Sequence, residues 1–205
     1  KHFKPMVIGT FIMVATYSLF YIMTAFAQAY SRTPATLSEA GYPMGLGIPA
    51  NTFTGLLLMS AIVFAIFISI SGLYADKIGR RKWLIWTTVS ILIFALCMPL
   101  FLGNGTPTSV FAFLVIGMAL MGMTFGPMAA LLPELFPTEV RYSGASLAYN
   151  IASIIGATIA AMISLKINAL YGLMGVGIYL AINAFLTLLA LLASKETKNV
   201  DLTQI

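Results

Sequence analysis

The chain has 205 residues, of which 60% are hydrophobic and only 8% charged, and its net charge is +5. Soluble domains carry about 25% charged residues, so this composition excludes a protein that faces water on all sides. Retention of Lys and Arg on the cytoplasmic side of a membrane explains the positive charge more simply than nucleic acid, and we expect no nucleic-acid partner. The single cysteine, Cys97, excludes a disulfide framework and a thiolate metal site, and we expect His2, the single histidine, to be solvated.

Six apolar stretches approach or exceed the length of about 20 residues that a helix needs to cross a bilayer. We therefore predict an all-α membrane protein with six transmembrane helices in one domain, residues 1–205. The predicted spans are Met6–Tyr30, Ala50–Leu73, Trp83–Leu102, Val110–Leu132, Ser143–Ile167 and Gly172–Ala193. Since the chain begins with Lys, and its first span exceeds the roughly 7–15 residues of a signal-peptide core, we expect an excerpt of a longer protein.

The loop Gly72–Lys82 carries five of the seventeen charges, which are 11 basic and 6 acidic. A short basic loop between two apolar spans is typical of the cytoplasmic side of a membrane protein. With this loop inside, nine basic residues fall on the cytoplasmic side and two, Arg32 and Lys166, on the other side. The nine are Lys1, Lys4, Lys77, Arg80, Arg81, Lys82, Arg141, Lys195 and Lys198. This excess of basic residues on one side predicts that both termini are cytoplasmic.

Two charges on that side have the wrong sign for the helix end where they lie. Asp76 is close to the C-terminus of the second span, and Arg141 opens the fifth, so the helix dipole disfavours both. Each therefore needs a partner of opposite charge. We predict a cytoplasmic salt-bridge cluster of Asp76, Arg80, Arg81, Glu134 and Arg141. The alternative is that these charges are simply solvated at the interface.

Three segments resemble the major facilitator superfamily of transporters. Gly72–Lys82 resembles its basic loop motif, and Glu134 followed after six residues by Arg141 resembles its Glu-x6-Arg relay. The segment Lys195–Lys198 is similar to the Pro-Glu-Thr-Lys tail after the last helix, with Lys195 in place of the proline. The run Gly126–Leu147 looks closest to the metabolite:proton symporter branch, whose members take up shikimate, α-ketoglutarate, citrate or proline/betaine.

The resemblance implies that this chain is the C-terminal half, helices 7–12, of a transporter built from two six-helix halves. Substrate would bind between the halves near mid-membrane, and alternating access would carry it across the inner membrane. The expected function is secondary active transport of a small polar or acidic metabolite. We expect this transport to be coupled to protons, with the proton gradient as the driving force and with no cofactor and no metal. The expected partners are membrane lipid, the N-terminal half, the metabolite and the proton.

In that picture the cytoplasmic charge cluster is a latch that stabilises the outward-open state and breaks when the cavity opens inward. No Asp, Glu, Lys or Arg lies in the middle of a predicted span, so the proton-carrying acid is expected in the other half. An alternative is a truncated, transport-inactive membrane remnant or an assembly partner. The chain is not expected to be an enzyme, because it contains no recognisable catalytic arrangement.

Two polar stripes on helices that line the cavity in this superfamily are candidate substrate contacts. On the first span the residues follow one another at steps of four, three and four, which places them on one face of a regular helix. They are Tyr17, Tyr21, Thr24 and Gln28. The stripe on the fifth span consists of Ser146, Tyr149, Asn150 and Ser153. The alternative is that both stripes hydrogen-bond neighbouring helices.

The last and fourth spans carry patterns that we interpret as structural or as related to bending. Tyr179, Asn183 and Thr187 form an equally regular stripe, but the last helix is peripheral in the superfamily, so we expect a mainly structural role. Gly122 and Gly126, followed by a proline, predict close helix contact and a bend in the fourth span, through gating motion or through static packing.

Overall fold

The computed structural model describes residues 3–194, apart from the side chains of 157–159, 161 and 162. Helices joined by loops make up this part of the chain. They are α1 (Phe3–Tyr21), a π-helical turn (Ile22–Phe26), α2 (Ala27–Arg32), α3 (Ala50–Ile78), α4 (Arg80–Leu96), α5 (Met98–Leu102), α6 (Pro107–Glu134), a 3-10 turn (Thr138–Val140), α7 (Arg141–Ser153), a second π-helical turn (Ile154–Thr158) and α8 (Ile159–Ala193). His2 and the tail Lys195–Lys198 lie outside the described residues.

Among the described residues, four helical segments are long and apolar enough to cross a membrane. They are Phe3–Arg32, Ala50–Ile78, Pro107–Glu134 and Ile163–Ala193. These segments confirm the all-α membrane class. The predicted span Trp83–Leu102 is divided at Cys97 between α4 and α5, and Ser143–Ile167 is divided among α7, the second π turn and α8. Six spanning helices therefore stay a prediction.

Helix α8 folds back on itself at Gly172. The Asn183 amide donates to the Ser18 hydroxyl at 3.0 Å, and the Ser18 hydroxyl donates to the Gly156 carbonyl at 3.5 Å. A straight helix would separate residues 156 and 183 by about 40 Å, at roughly 1.5 Å per residue, so one side chain could not reach both. The reversal falls at Gly172, whose backbone (φ 67°, ψ −170°) is essentially accessible only to glycine. This is close to the predicted boundary between the fifth and sixth spans.

Helix α1 is the central helix of the bundle and α3 is peripheral. In Phe3–Arg32, 67% of the most apolar part is buried, against 11% in Ala50–Ile78. The outward face of α3 carries large exposed apolar side chains such as Leu58, Ile62 and Ile66. Soluble proteins rarely expose apolar patches of this extent, so this surface suits lipid or an apolar partner.

The contact between α3 and α6 is close because two glycines of α6 face α3. A Cβ on Gly122 would lie 2.7 Å from the Phe64 carbonyl oxygen and 2.8 Å from the Phe67 Cβ. A Cβ on Gly126 would overlap the Ser71 hydroxyl. The prediction of close helix contact at Gly122 and Gly126 is therefore confirmed, and it allows α6 to lie against the α3 backbone.

The two ends of the bundle differ in chemistry. We call the end that carries Asp76, Arg80, Arg81, Glu134 and Arg141 the basic end. We call the other end, which carries the long connection between α2 and α3 (residues 33–49), the loop end. There Ser38 donates to the Ala169 carbonyl at 2.7 Å and Asn168 donates to the Pro43 carbonyl at 2.9 Å. These bonds dock the connection onto α8 just before the Gly172 reversal.

Candidate functional site: a charge cluster and an adjoining pocket

Arg80 joins three helices at the basic end. Gly79, with φ 112°, is the single residue between α3 and α4, so Arg80 opens α4 close to the last turn of α3. Its guanidinium contacts Asp76 Oδ1 through Nη2 at 3.1 Å and through Nε at 3.2 Å. Its Nη1 donates to Glu134 Oε1, at the end of α6. The acidic Asp76 near a helix C-terminus therefore has the arginine partner that its position demands.

The two carboxylates bound by Arg80 lie in different environments. The Glu134 side chain is 13% exposed, whereas the Asp76 side chain is 65% exposed. Burial alone lowers the pKa of Arg80, but hydrogen bonds and charges from Glu134 and then Asp76 outweigh it and raise the pKa above its ordinary value. The guanidinium thus stays charged. Glu134 Oε2 is buried without a hydrogen-bond partner among the described residues. The ionised Glu134 carboxylate is therefore stabilised mainly by Arg80.

The other two predicted members of the cluster have bonds to backbone and hydroxyl groups. Arg81 donates to the carbonyls of Leu191 (2.7 Å) and Leu192 (3.0 Å), at the C-terminal end of α8, where the helix dipole favours a cation. Arg141 donates to the Phe136 carbonyl and to the Thr138 hydroxyl, both at 3.3 Å. Ion pairs unite Asp76, Arg80 and Glu134, and Arg81 and Arg141 lie at the same end of the bundle.

An open pocket of about 470 Å³ lies between α1, α6 and α7 beside this cluster. Its walls are mostly apolar, with polar groups concentrated on α7. The lining residues are Met13, Phe125, Met128, Ala129, Leu132, Pro133, Arg141, Tyr142, Ala145, Ser146 and Tyr149. A cavity of this size, apolar with a few polar groups, is typical of sites for small molecules. Of the eight candidate substrate contacts, Ser146 and Tyr149 line it.

Tyr17 joins the two predicted polar stripes at the edge of this pocket. Its ring packs edge-on against the Tyr149 ring, with centroids 5.3 Å apart. The Tyr17 side chain is buried. The α1 and α7 stripes therefore meet at Tyr17 and Tyr149.

The remaining candidates lie away from the pocket lining. Thr24 donates to the Phe20 carbonyl at 2.7 Å, and the Asn150 amide turns back to the Ser146 carbonyl at 2.8 Å. Tyr21 packs edge-on against Phe20, with centroids 5.2 Å apart. Gln28 and Ser153 are half-buried on α2 and α7.

The first stripe is also not one face of a regular helix. A π-helical turn at Ile22–Phe26 separates Tyr17 and Tyr21 from Gln28. The extra residue in this turn rotates the following side chains by about 100°, the angle between successive helical residues. Residue spacing alone could not reveal this turn.

The stripe on the last helix binds α1, in agreement with its predicted structural role. Asn183 bonds Ser18, as described above. The Thr187 hydroxyl donates to the Phe11 carbonyl at 2.6 Å and accepts from the Ala15 amide at 3.1 Å. Phe11 and Ala15 are four residues apart, so Thr187 bridges the two groups of one helical hydrogen bond in α1. The sequence did not single out Ser18, the partner of this stripe on α1.

Comparison with known proteins assigns the chain to a class. A family model described as sugar (and other) transporter matches residues 44–205. The chain therefore belongs to the sugar (and other) transporter family of the major facilitator superfamily. This family consists of transporters, which supports the prediction that the chain is not an enzyme.

Three relatives define its neighbourhood within that class. The chain is 86% identical over 205 residues to a Haemophilus influenzae protein whose name provisionally assigns it to metabolite transport. It is 52% identical over 204 residues to the inner membrane metabolite transport protein YhjE of Escherichia coli. It is 27% identical over 201 residues to the proline/betaine transporter of Salmonella typhimurium.

The chain spans less than half the length of each of these relatives. The aligned regions cover 100%, 98% and 97% of this chain but 47%, 44% and 38% of the relatives, in the same order. The YhjE match supports an inner-membrane, multi-pass location. No solved structure showed a significant match to the chain.

Proposed function

We propose that this chain is the C-terminal six-helix half of a secondary transporter that carries a small polar or acidic metabolite across the inner membrane by alternating access. The observation that carries the proposal is family membership over residues 44–205 in a chain less than half as long as its relatives. The reversal at Gly172 supports six crossings, because it divides α8 into two antiparallel arms. In this proposal both termini are cytoplasmic.

The proposed substrate site is the pocket beside Tyr149. Ser146 and Tyr149 supply hydroxyl groups, and Arg141 at the pocket edge supplies positive charge, which suits a carboxylate or another polar group on a compact apolar body. The N-terminal half would close the site from the other side. Tyr17, Tyr21, Thr24, Gln28, Asn150 and Ser153 stay candidate contacts for other stages of the cycle.

The proposed latch is the contact of Arg80 with Asp76 and Glu134. These pairs hold α3, α4 and α6 together at the predicted cytoplasmic end, so breaking them would let these helix ends separate as the cavity opens inward. Arg81 and Arg141 lie at the same end and would take part in that rearrangement. Proton coupling is part of the proposal, with the proton-carrying acid in the N-terminal half.

The test is uptake of labelled proline, betaine, shikimate and α-ketoglutarate by cells that express the complete protein containing this chain. We expect uptake of at least one compound, abolished by an uncoupler. Uptake that persists with the uncoupler would refute proton coupling. If membrane-inserted wild-type protein takes up none of a broad metabolite panel, the transport-inactive remnant or assembly partner becomes the better description.

A matched pair of variants tests the site itself. Tyr149→Ala should reduce uptake by roughly tenfold, as expected for the loss of one hydrogen bond to the substrate. Tyr171→Ala makes the same change at an exposed position of the loop end and should leave uptake unchanged. Equal uptake by the two variants would remove the pocket from the proposal.

A further inference from the structure

Helix α6 contains a proline that leaves one of its carbonyl groups without a helical donor. Pro127 lies inside α6, and proline has no backbone N–H. The carbonyl that this N–H would have bonded belongs to Met123, four residues earlier. In a bilayer no water can replace the missing donor, so an unsatisfied carbonyl is costly.

Trp83 supplies that donor from α4. Its indole Nε1 lies 3.0 Å from the Met123 carbonyl oxygen, and an indole N–H can only donate. The Trp83 ring is itself fixed, because it stacks on Tyr74 of α3 with centroids 5.8 Å apart and planes 19° apart. The donor is therefore held between α3 and α6 in a defined direction.

A second bond fixes the same turn of α6. The Ser71 hydroxyl of α3 shares its one proton between the Ile68 carbonyl of its own helix, at 2.9 Å, and the Gly122 carbonyl of α6, at 3.0 Å, which is next to the Met123 carbonyl. Two adjacent carbonyls of α6 are thus bonded by side chains from the hairpin formed by α3 and α4. The same hairpin holds the end of α6 through Arg80 and Glu134.

The part of α6 that follows Met123 forms one wall of the pocket. Phe125, Met128 and Ala129 line that wall, and all lie within six residues of Met123. Proline can bend a helix, so the direction that α6 takes past Pro127 sets where this wall stands relative to Tyr149 on α7.

We propose that Trp83 is a positioning residue for the pocket: its indole N–H replaces the helical donor that Pro127 lacks and fixes the direction of α6 past that proline. The residue acts through the Met123 carbonyl, and its own ring is not among those that line the pocket. This inference rests on the proposed function in one respect, because it treats this wall of the pocket as part of a substrate site. The hydrogen bond from Trp83 to the Met123 carbonyl does not depend on transport.

The test is a double-substitution cycle in the complete protein, with Cys97→Ala and a reporter Ala129→Cys in every variant. Ala129 is exposed and lines the pocket. The rate at which a cysteine at this position reacts with a maleimide therefore measures how accessible this wall of the pocket is. Trp83→Phe keeps an aromatic ring and removes the N–H. We expect it to change the labelling rate by about fivefold, the factor that corresponds to one hydrogen bond.

Pro127→Ala restores an N–H that can bond the Met123 carbonyl within the helix. In that background Trp83→Phe should change the labelling rate little, because its donor is no longer needed. Trp86→Phe is the matched control, since Trp86 is 76% exposed on the same helix, and it should have no effect in either background.

Two results would overturn the proposal. One is an equal effect of Trp83→Phe with and without Pro127, which would indicate general packing of the ring. The other is an unchanged labelling rate in the Trp83→Phe single variant. Neither result depends on whether the wild-type protein transports any compound, so failure of this inference and failure of the proposed function can be told apart.

Discussion

At the basic end three helices are joined through ionised side chains, whereas at the loop end the joining groups are neutral. Arg80 connects Asp76 and Glu134 across α3, α4 and α6. At the loop end, the Ser38 hydroxyl donates to the Ala169 carbonyl of α8, and the Asn168 side-chain amide of α8 donates to the Pro43 carbonyl. Backbone amides of residues 33–49 add further hydrogen bonds to carbonyls of the connection and of α2. Tyr42 lies against Gly172 and completes that contact.

The difference bears on the proposed latch, which requires the basic end to rearrange. An ionised side chain can exchange one partner of opposite charge for another, while the loop end depends on one backbone conformation at Gly172. A buried charge left without any partner is strongly destabilising, however, so exchange at the basic end requires a new partner at each step. A transporter that opens towards the cytoplasm would need side-chain pairings that change at the basic end and helix contacts that stay the same at the loop end.

The largest expected effect comes from removing the central cation of the basic end. Arg80→Ala leaves the buried Glu134 carboxylate without its charge partner, which should destabilise the protein by about 3–5 kcal/mol. Asp76→Asn, the matched control, removes a partner that is 65% exposed and should cost under about 1 kcal/mol. Thermal or denaturant unfolding of the detergent-purified protein measures both. Equal losses would mean that the difference in burial between the two carboxylates does not matter.

A smaller effect is expected from the loop end. Gly172→Ala places a side chain on backbone that costs about 1–3 kcal/mol for any residue other than glycine. Its Cβ would also lie 2.6 Å from the Tyr42 ring. Gly72→Ala is the control. Gly72 lies within α3, and a Cβ there would meet no atom within 4 Å apart from its neighbours in the chain and the backbone of its own helix, so this substitution should be neutral or slightly stabilising. If unfolding measurements found Gly172→Ala as stable as wild type, the reversal of α8 would not require this conformation.

The smallest effect, close to zero, is expected from alkaline pH. Because the pKa of Arg80 is raised on folding, its contribution to stability is fully present below the unfolded pKa and is lost only as pH rises through the higher folded value. The stability difference between wild type and Arg80→Ala should therefore stay constant from neutral to mildly alkaline pH. Arg80→Lys should lose stability earlier, near the ordinary lysine pKa of about 10.4. A wild-type advantage that shrank at mildly alkaline pH would contradict the assignment.

Local spacing predicted some contacts of the site and missed others. Asp76 and Arg80 are four residues apart across one tight turn, so their pairing could be inferred from the chain itself. Glu134 was expected within the same cluster, and its contact with Arg80 was found. The tight turn itself lies at Gly79, whereas Gly72 lies inside the regular helix α3.

The sequence by itself determined the membrane class, the apolar segments, the basic hairpin and the polar stripes, because these depend on composition and on contacts between near neighbours. Only the tertiary structure decided that Trp83 meets the Met123 carbonyl, that Thr187 enters the α1 hydrogen-bond ladder, and that Tyr17 meets Tyr149. These contacts depend on how each helix is rotated about its axis and where a π-helical turn shifts that rotation. Rotation is set by packing against distant segments, which residue spacing along one helix does not encode.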